Sequence, residues 1–292
     1  MWQREIKLKE KLKPYILLLP VLVIILGILI PGIINALFES FGYSKAYGMR
    51  SITLNYYKEI LLDGDFISSL RFSLITSLTS SLTALVLGTA LAFCVYMSSS
   101  RRILEKFIFR LPVIVPHIIA AAAAFSILSQ SGILARLLFK LGLIKTMEDM
   151  SLFIFDRRGI GIMLTYLWKE IPFTAMVVYT VLKDINDKLY IAARNLGATK
   201  RQVFFHVMLP LCLPSILSAF IIIFAFSFGA FEVPYLLGPT FPKALPVKAY
   251  MEYTGADLSS RPYAMVINII LACISTILIY IYYKIVKASK QY

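Results

Sequence analysis

Three ionisable side chains stand inside long apolar runs of this sequence. Lys169 and Glu170 lie in "LWKEIPFTAMVVYTVL", and Glu232 lies in "FGAFEVPYLLG". A charge at the centre of a bilayer costs about 2.5–3.5 kcal/mol even on lenient insertion scales, so such residues mark a solute path or a buried polar contact. Neighbours on a helix point about 100° apart, so Lys169 and Glu170 cannot simply pair side by side. Each is expected to be satisfied by another helix or at a subunit seam, with solute contact the sharper alternative. Glu232 falls near the end of its run, close to a membrane face, and Pro234 follows it. A carboxylate there attracts a cation, or else fixes the "EVPYLLG" turn through backbone bonds. Tyr235, Tyr250, Tyr253 and Tyr263 follow, as interfacial-belt tyrosines or as the lining of a cation path.

Other chemistry finds little support. The cysteines are Cys94, Cys212 and Cys273, an odd number without a CxxC pair, and they read as small core hydrophobes. The histidines, His117 and His206, are too far apart for a metal constellation. The H-E-x-x-H, G-x-S-x-G and G-x-x-x-x-G-K-[ST] patterns do not occur. No catalytic residue, metal site or bound cofactor is therefore expected, and the chain is not expected to be an enzyme.

The elements that must position these residues are long and apolar. Of the 292 residues, 59% are hydrophobic and 16% charged, a membrane composition. A crossing helix needs about 20 mainly apolar residues. Six segments qualify: Tyr15 to Leu37, Phe72 to Met97, Leu111 to Gln130, Gly159 to Leu182, Pro214 to Leu237 and Ala264 to Ile281. The first run is too long for a signal peptide's core, and no A-x-A site follows. The expected fold is thus an all-α bundle of six transmembrane helices.

The net charge is +14, and its distribution sets orientation. Both termini with the second and fourth loops hold 17 Lys and Arg against 5 acids; the other three loops hold 12 against 9. The first group faces the cytoplasm by the positive-inside rule, and no nucleic-acid role is needed. Residues 1–14 are then a cytoplasmic segment, 15–285 the membrane domain with a cytoplasmic loop at 183–213, and 286–292 a cytoplasmic tail. On the outer side, Leu134 to Ile144 and Leu54 to Leu70 have helical periodicity but are too short to span. Prolines 20, 31, 112, 116, 172 and 234 predict broken, adjustable helices.

The loop "DKLYIAARNLGATKRQVFFHVMLPLCLP" is both basic and amphipathic. Asp184, Asn186 and Asp187 are N-cap candidates. Leu189, Ala192, Ala193 and Leu196 form a helical stripe that Gly197 should end. Thr199 and Gln202 have capping-box spacing. They open a second short helix with Val203, Phe204, Val207 and Met208, expected to stop at Pro210. Two exposed apolar stripes call for a partner.

That loop resembles the EAA loop of membrane subunits of ATP-binding-cassette (ABC) importers: E-A-A, three residues, G, nine residues, I-x-L-P. Here stand Ala192-Ala193, Gly197 and Val207-Met208-Leu209-Pro210 at that spacing, with Ile191 where the family usually has glutamate. "LPVIVPHIIAAAAAF" and "LWKEIPFTAMVVYTVLKDIN" resemble its third and fourth spans. "FGAFEVPYLLG" with "LPVKAYMEY" resembles the spermidine/putrescine group of permeases.

The resemblance implies a type I importer permease bundle, MetI-like, with a cytoplasmic coupling helix. It implies two ATPase subunits that use ATP-Mg, a second permease subunit (a different chain is expected, though a second copy would also serve), and an extracytoplasmic solute-binding protein. It implies ATPase coupling through Leu189, Ala192, Ala193, Leu196, Gly197, Val203, Val207, Leu209 and Pro210. Lys169, Glu170, Glu232 and Tyr235 become candidates for the translocation path. A polyamine is the expected solute; thiamine, ferric iron, sulfate or phosphonate are alternatives. A secondary transporter, the rival reading, predicts internal repeats, and none is apparent.

Overall fold

The computed structural model describes residues 2–44, 48–98, 109, 111–146, 148–150, 152–184 and 187–289. They form two compact units.

The first unit is Met1–Leu62 with Ala249–Ile270. It holds α1 (Trp2–Ser40), a two-stranded antiparallel ribbon of β1 (Tyr43–Ser44) and β2 (Met49–Arg50), and α2 (Asn55–Leu62). The Ser40 hydroxyl meets the Tyr57 hydroxyl at 2.8 Å. The Tyr263 hydroxyl donates to Glu59 and its ring meets Tyr56 edge-on at 5.1 Å. Gly42, at φ +80°, turns the chain where a Cβ would lie 2.6 Å from the Tyr56 ring.

The second unit is Asp63–Lys248 with Leu271–Tyr292. In order it holds α3 (Gly64–Met97), α4 (Leu111–Ile114), α5 (His117–Leu128), α6 (Ile133–Lys140), α7 (Ile160–Asp184), α8 (Asp187–Asn195) and α9 (Lys200–Val203). A π turn (Phe204–Met208), α10 (Leu209–Gly229) and α11 (Glu232–Leu237) follow. α12 (Leu245–Thr254) and α13 (Arg261–Ser289) each carry residues of both units.

α3 is the spine of this unit. Ser69, Ser73, Ser77, Ser80 or Ser81, Ala84, Gly88 and Ala92 recur at three- and four-residue spacing and are buried. Small side chains let helix backbones approach closely where lipid supplies no hydrophobic drive. At Gly88 an added Cβ would sit 2.7 Å from Thr174 Cβ and 2.8 Å from the Ile171 carbonyl oxygen, both on α7. Apolar clusters pack on either side of this contact. One gathers Phe93, Phe109, Tyr179, Leu182, Val203 and Cys212; the other gathers Phe72, Ile154, Ile162, Tyr166, Val233 and Leu237.

Several expectations need correction. Among the described residues, five helical stretches are long and apolar enough to cross a membrane: Pro14–Ser40, Gly64–Met97, His117–Lys140, Arg201–Gly229 and Leu258–Lys284. α7 is 25 residues long but does not meet the same test of apolarity, so the count of six rests on α7. Its polar residues Thr165, Lys169, Glu170 and Thr174 are buried in protein instead. The second span starts at Gly64 rather than Phe72, because Asp63 caps it. The proline expectation was too broad: α1 runs on through Pro14, Pro20 and Pro31, and α7 through Pro172. The third span does break, at Pro116; the fifth breaks at Ala230, ahead of Pro234. Of the cysteines, only Cys212 is in the core, while Cys94 and Cys273 are exposed.

The Asp63 carboxylate accepts from the Asp65 and Phe66 amides at 3.0 and 3.2 Å and pairs with Lys248 at 2.8 Å. Burial alone would raise its pKa, but these contacts outweigh burial and hold it below the ordinary 3.8. A depressed carboxylate stabilises the fold above its unfolded pKa and loses that contribution as pH falls through the folded value. The Asp63 contribution should therefore be flat from neutral pH down to 3.8 and fade below it. Comparing unfolding midpoints of wild type and Asp63→Asn across pH checks this; the difference should shrink at the acid end. Separately, Gly88→Leu should destabilise the bundle by about 1–3 kcal/mol or more. Gly229→Ala, whose Cβ meets nothing within 4 Å, should not. Thermal unfolding in detergent reads both.

Candidate functional site

α7 carries both Lys169 and Glu170 into protein, 7% and 5% exposed. The break at Pro116 leaves the Val115 carbonyl without a helical donor, and Lys169 Nζ donates to it. Glu170 turns toward α10, where the Ser227 hydroxyl donates to Oε1; Ser80 of α3 adjoins the same carboxylate. The other oxygen, Oε2, is buried without a hydrogen-bond partner. Tyr166, one turn earlier on α7, donates to the Ser227 carbonyl at 3.4 Å. Each charge is thus met by a different helix, as their angular separation requires.

Beside this cluster is a half-open cavity of 170 Å³. Lys169 and Glu170 line it with His117, Phe173, Ile222 and Phe226. The His117 ring lies tilted against Phe226, with ring centres 4.2 Å apart. The sequence had set His117 aside and gave no weight to Phe226 or Ser227. The serine periodicity of α3 was the readable signal that a polar contact would be buried there.

Glu232 opens α11 and is exposed, and its carboxylate makes no hydrogen bond among the described residues. The turn does not depend on it: Phe155 N–H donates to the Leu237 carbonyl at 2.9 Å, and Gly238 packs where a Cβ would be 2.4 Å from the Pro234 oxygen. Tyr235 is exposed and stacks on Phe231 at 4.8 Å.

The basic loop forms the expected hairpin. α8 ends at Asn195, and Gly197 takes φ +88°. The Gly197 amide donates to the Arg194 carbonyl and the Ala198 amide to the Ala193 carbonyl, at 3.0 and 3.1 Å. The Thr199 amide donates to Gln202 Oε1 at 2.8 Å and the Gln202 amide to Thr199 Oγ1 at 3.3 Å. That reciprocal pair is the capping box. Of the N-cap candidates, Asn186 and the side chains of Asp184 and Asp187 lie outside the described residues.

The second helix does not stop at Pro210. It continues from Lys200 to Gly229 through the π turn, in which the Leu209 amide donates to the Phe204 carbonyl. Pro210 follows directly on that π turn, and the helix carries it without a break. The two stripes also divide by burial. Val203 is fully buried, and Ala193, Val207 and Leu209 pack against the same cluster. Leu189, Ile191, Ala192, Leu196 (89% exposed) and Pro210 face outward. Phe205 adds to that outward face, with Arg201 over its ring at 5.8 Å.

Residues 84–291 match the family described as "Binding-protein-dependent transport system inner membrane component". The chain is 28% identical over 225 residues to the spermidine/putrescine transport system permease protein PotB of Escherichia coli, covering 77% of this chain and 79% of that one. It is 27% identical over 289 residues to the probable ABC transporter permease protein YurN of Bacillus subtilis, covering 97% and 99%. Its fold matches a bacterial ABC transporter that imports the acidic polysaccharide alginate, with TM-score 0.81 at 20% identity over 98% of both chains. The MetNI methionine ABC transporter matches at TM-score 0.53 and 18% identity, covering 76% of this chain and 95% of that one. With that family match over residues 84–291, this chain belongs to the inner-membrane permease components of binding-protein-dependent ABC importers.

Proposed function

We propose that the chain is one of two permease subunits of a polyamine importer and moves spermidine or putrescine inward. The second subunit is a different permease chain, two ATPase subunits using ATP-Mg dock on the cytoplasmic side, and an extracytoplasmic binding protein delivers the solute. Both termini lie in the cytoplasm, in line with the charge asymmetry of the loops. The chain itself holds no cofactor. Similarity to permeases of spermidine/putrescine systems supports the solute.

The observation that carries the coupling role is the exposed face of α8, with Leu189, Ala192 and Leu196 outward. Gly197 and the Thr199–Gln202 box fix its exit angle, and Ala193, Val203, Val207 and Leu209 tie it to the bundle beneath. A push on α8 is thereby transmitted into α7 and α10 rather than absorbed by a slack loop. In this reading Val203 is a strut and Ala192 a docking contact. Lys169, Glu170, Glu232 and Tyr235 belong to the path side.

Ala192→Glu should abolish co-purification of the ATPase subunits while leaving the permease folded, because Ala192 is exposed. Gly197→Val should uncouple ATP hydrolysis from uptake, since a β-branched residue is strained at φ +88° although nothing crowds the site. Normal co-purification and uptake by both variants at wild-type expression would refute the coupling role. The solute is tested by measuring which of spermidine, putrescine, thiamine, ferric iron, sulfate or phosphonate the partner binding protein retains; failure to retain either polyamine overturns that part.

A further inference from the structure

The segment from Leu134 to Ile144 is too short to span a membrane, and neither coupling nor the solute path uses it. α6 begins at Ile133, five residues after α5 ends at Leu128, so it sits where the third span leaves the membrane. Its Ala135 is buried and its Leu134 and Leu138 are half-buried, which accounts for one apolar face. The outward face sets Ile133, Leu137 and Phe139, each more than half exposed, beside Arg136 and Lys140. Large apolar side chains interleaved with cations suit the boundary between acyl chains and headgroups. Gly142, at φ +71°, then turns the chain back, and Asp149 accepts from the Lys145 and Thr146 amides, both at 2.8 Å, to fix the returning segment.

Between α6 and that segment is a half-open cavity of 360 Å³. Arg136, Lys145 and Thr146 give it polar groups; Ala135, Phe139 and Ile144 give it an apolar wall. Arg136 Nε–H donates to the Ser131 carbonyl at 3.1 Å, which holds the guanidinium in place and leaves its terminal nitrogens for another acceptor. No acid lines the cavity, and no ion pair engages Arg136 or Lys145 among the described residues. Two uncompensated cations beside an apolar wall are the chemistry that recognises an anionic amphiphile. Leu128, at the end of α5, lines a second half-open cavity of 490 Å³, mostly apolar, along α5 and α7 by Ala124 and Trp168. An acyl chain has an apolar course there; an inorganic anion or an acidic peptide has no use for one.

We propose that the cavity beside α6 binds the headgroup of an anionic phospholipid, with Arg136 and Lys145 on its phosphate and α6 seated at the headgroup boundary. The assignment is independent of the polyamine reading, since it holds whichever solute is carried. It makes lipid composition a condition on the stability of the importer.

The test uses the full transporter, delipidated in detergent and titrated separately with phosphatidylglycerol, phosphatidylcholine and inorganic phosphate. Native mass spectrometry counts the lipid retained, and the unfolding midpoint reads its effect. Phosphatidylglycerol should be retained and raise the midpoint, phosphatidylcholine should do so much less, and inorganic phosphate should not displace the lipid. Arg136→Gln combined with Lys145→Gln should weaken phosphatidylglycerol binding about tenfold or more, the scale of two cations at an anionic surface. Both residues are exposed, so the fold without lipid should be unchanged. Arg136→Lys should keep most of the affinity, and Lys284→Gln, which removes an exposed cation on α13, should keep all of it. Equal binding of the two lipids, or unchanged phosphatidylglycerol binding by the double variant, overturns the site. Displacement by inorganic phosphate makes it a free-anion site, and loss of binding-protein capture with lipid binding intact makes the face a protein dock; either result overturns the lipid assignment.

Discussion

A carboxylate and an ammonium group on adjacent residues of a membrane helix cannot satisfy one another, and much of the second unit follows from that constraint. Lys169 and Glu170 point to different neighbours, so α7 must bury more than one of its faces in protein, while Leu164 and Trp168 stay exposed on another. Glu170 needs α10 close enough for Ser227 and α3 close enough for Ser80. Lys169 needs a bare carbonyl, which the break at Pro116 supplies. A broken third span is therefore a partner for a buried cation as much as a proline defect. Replacing such groups with hydrocarbon is often neutral or stabilising in soluble proteins, so their burial is not by itself a source of stability.

Close packing makes those contacts attainable. The serine, alanine and glycine stripe of α3 lets α7 approach until Gly88 touches backbone. Some of its hydroxyls bond back into their own helix, Thr76 to the Phe72 carbonyl at 2.8 Å and Ser80 to the Ser77 carbonyl at 3.1 Å, whereas the Ser81 hydroxyl is buried without a hydrogen-bond partner among the described residues. Apolar clusters pack on either side of the Gly88 contact.

The hairpin of α8 and α9 is built on the same logic of commitment. One side of it is given to the bundle through Val203, Val207 and Leu209, and the other is left outward through Leu189, Ala192 and Leu196. A helix anchored on one face can carry force from the other. The π turn at Phe204–Met208 joins that hairpin to α10, the helix that bears Ser227 and Phe226. Hairpin and cavity are thus joined by one continuous helical path from Lys200 to Gly229.

Much of this was legible in the sequence, and the misses have a common cause. The apolar runs, the glycine turn at 197 and the Thr199–Gln202 box are local: they depend on dihedral preference, side-chain reach and window hydropathy, and each appears where spacing placed it. Misjudged features were those in which a distant helix decides. Proline content predicted breaks in α1 and α7 that a continuous ladder around the prolines avoids. Pro210 was read as a stop, yet the helix runs on through it, directly after the π turn. Which side of the coupling stripe is buried, which carbonyl takes Lys169 and which hydroxyl takes Glu170 were invisible, because their partners lie up to 57 residues away. The sequence by itself determined the membrane class, the helical segments and the hairpin, since those are set within a few turns of chain. Only the tertiary structure decided that the two charges are satisfied separately and that a cavity opens beside Glu170. That decision depends on how closely three helices can approach, a distance fixed by packing against residues far along the chain.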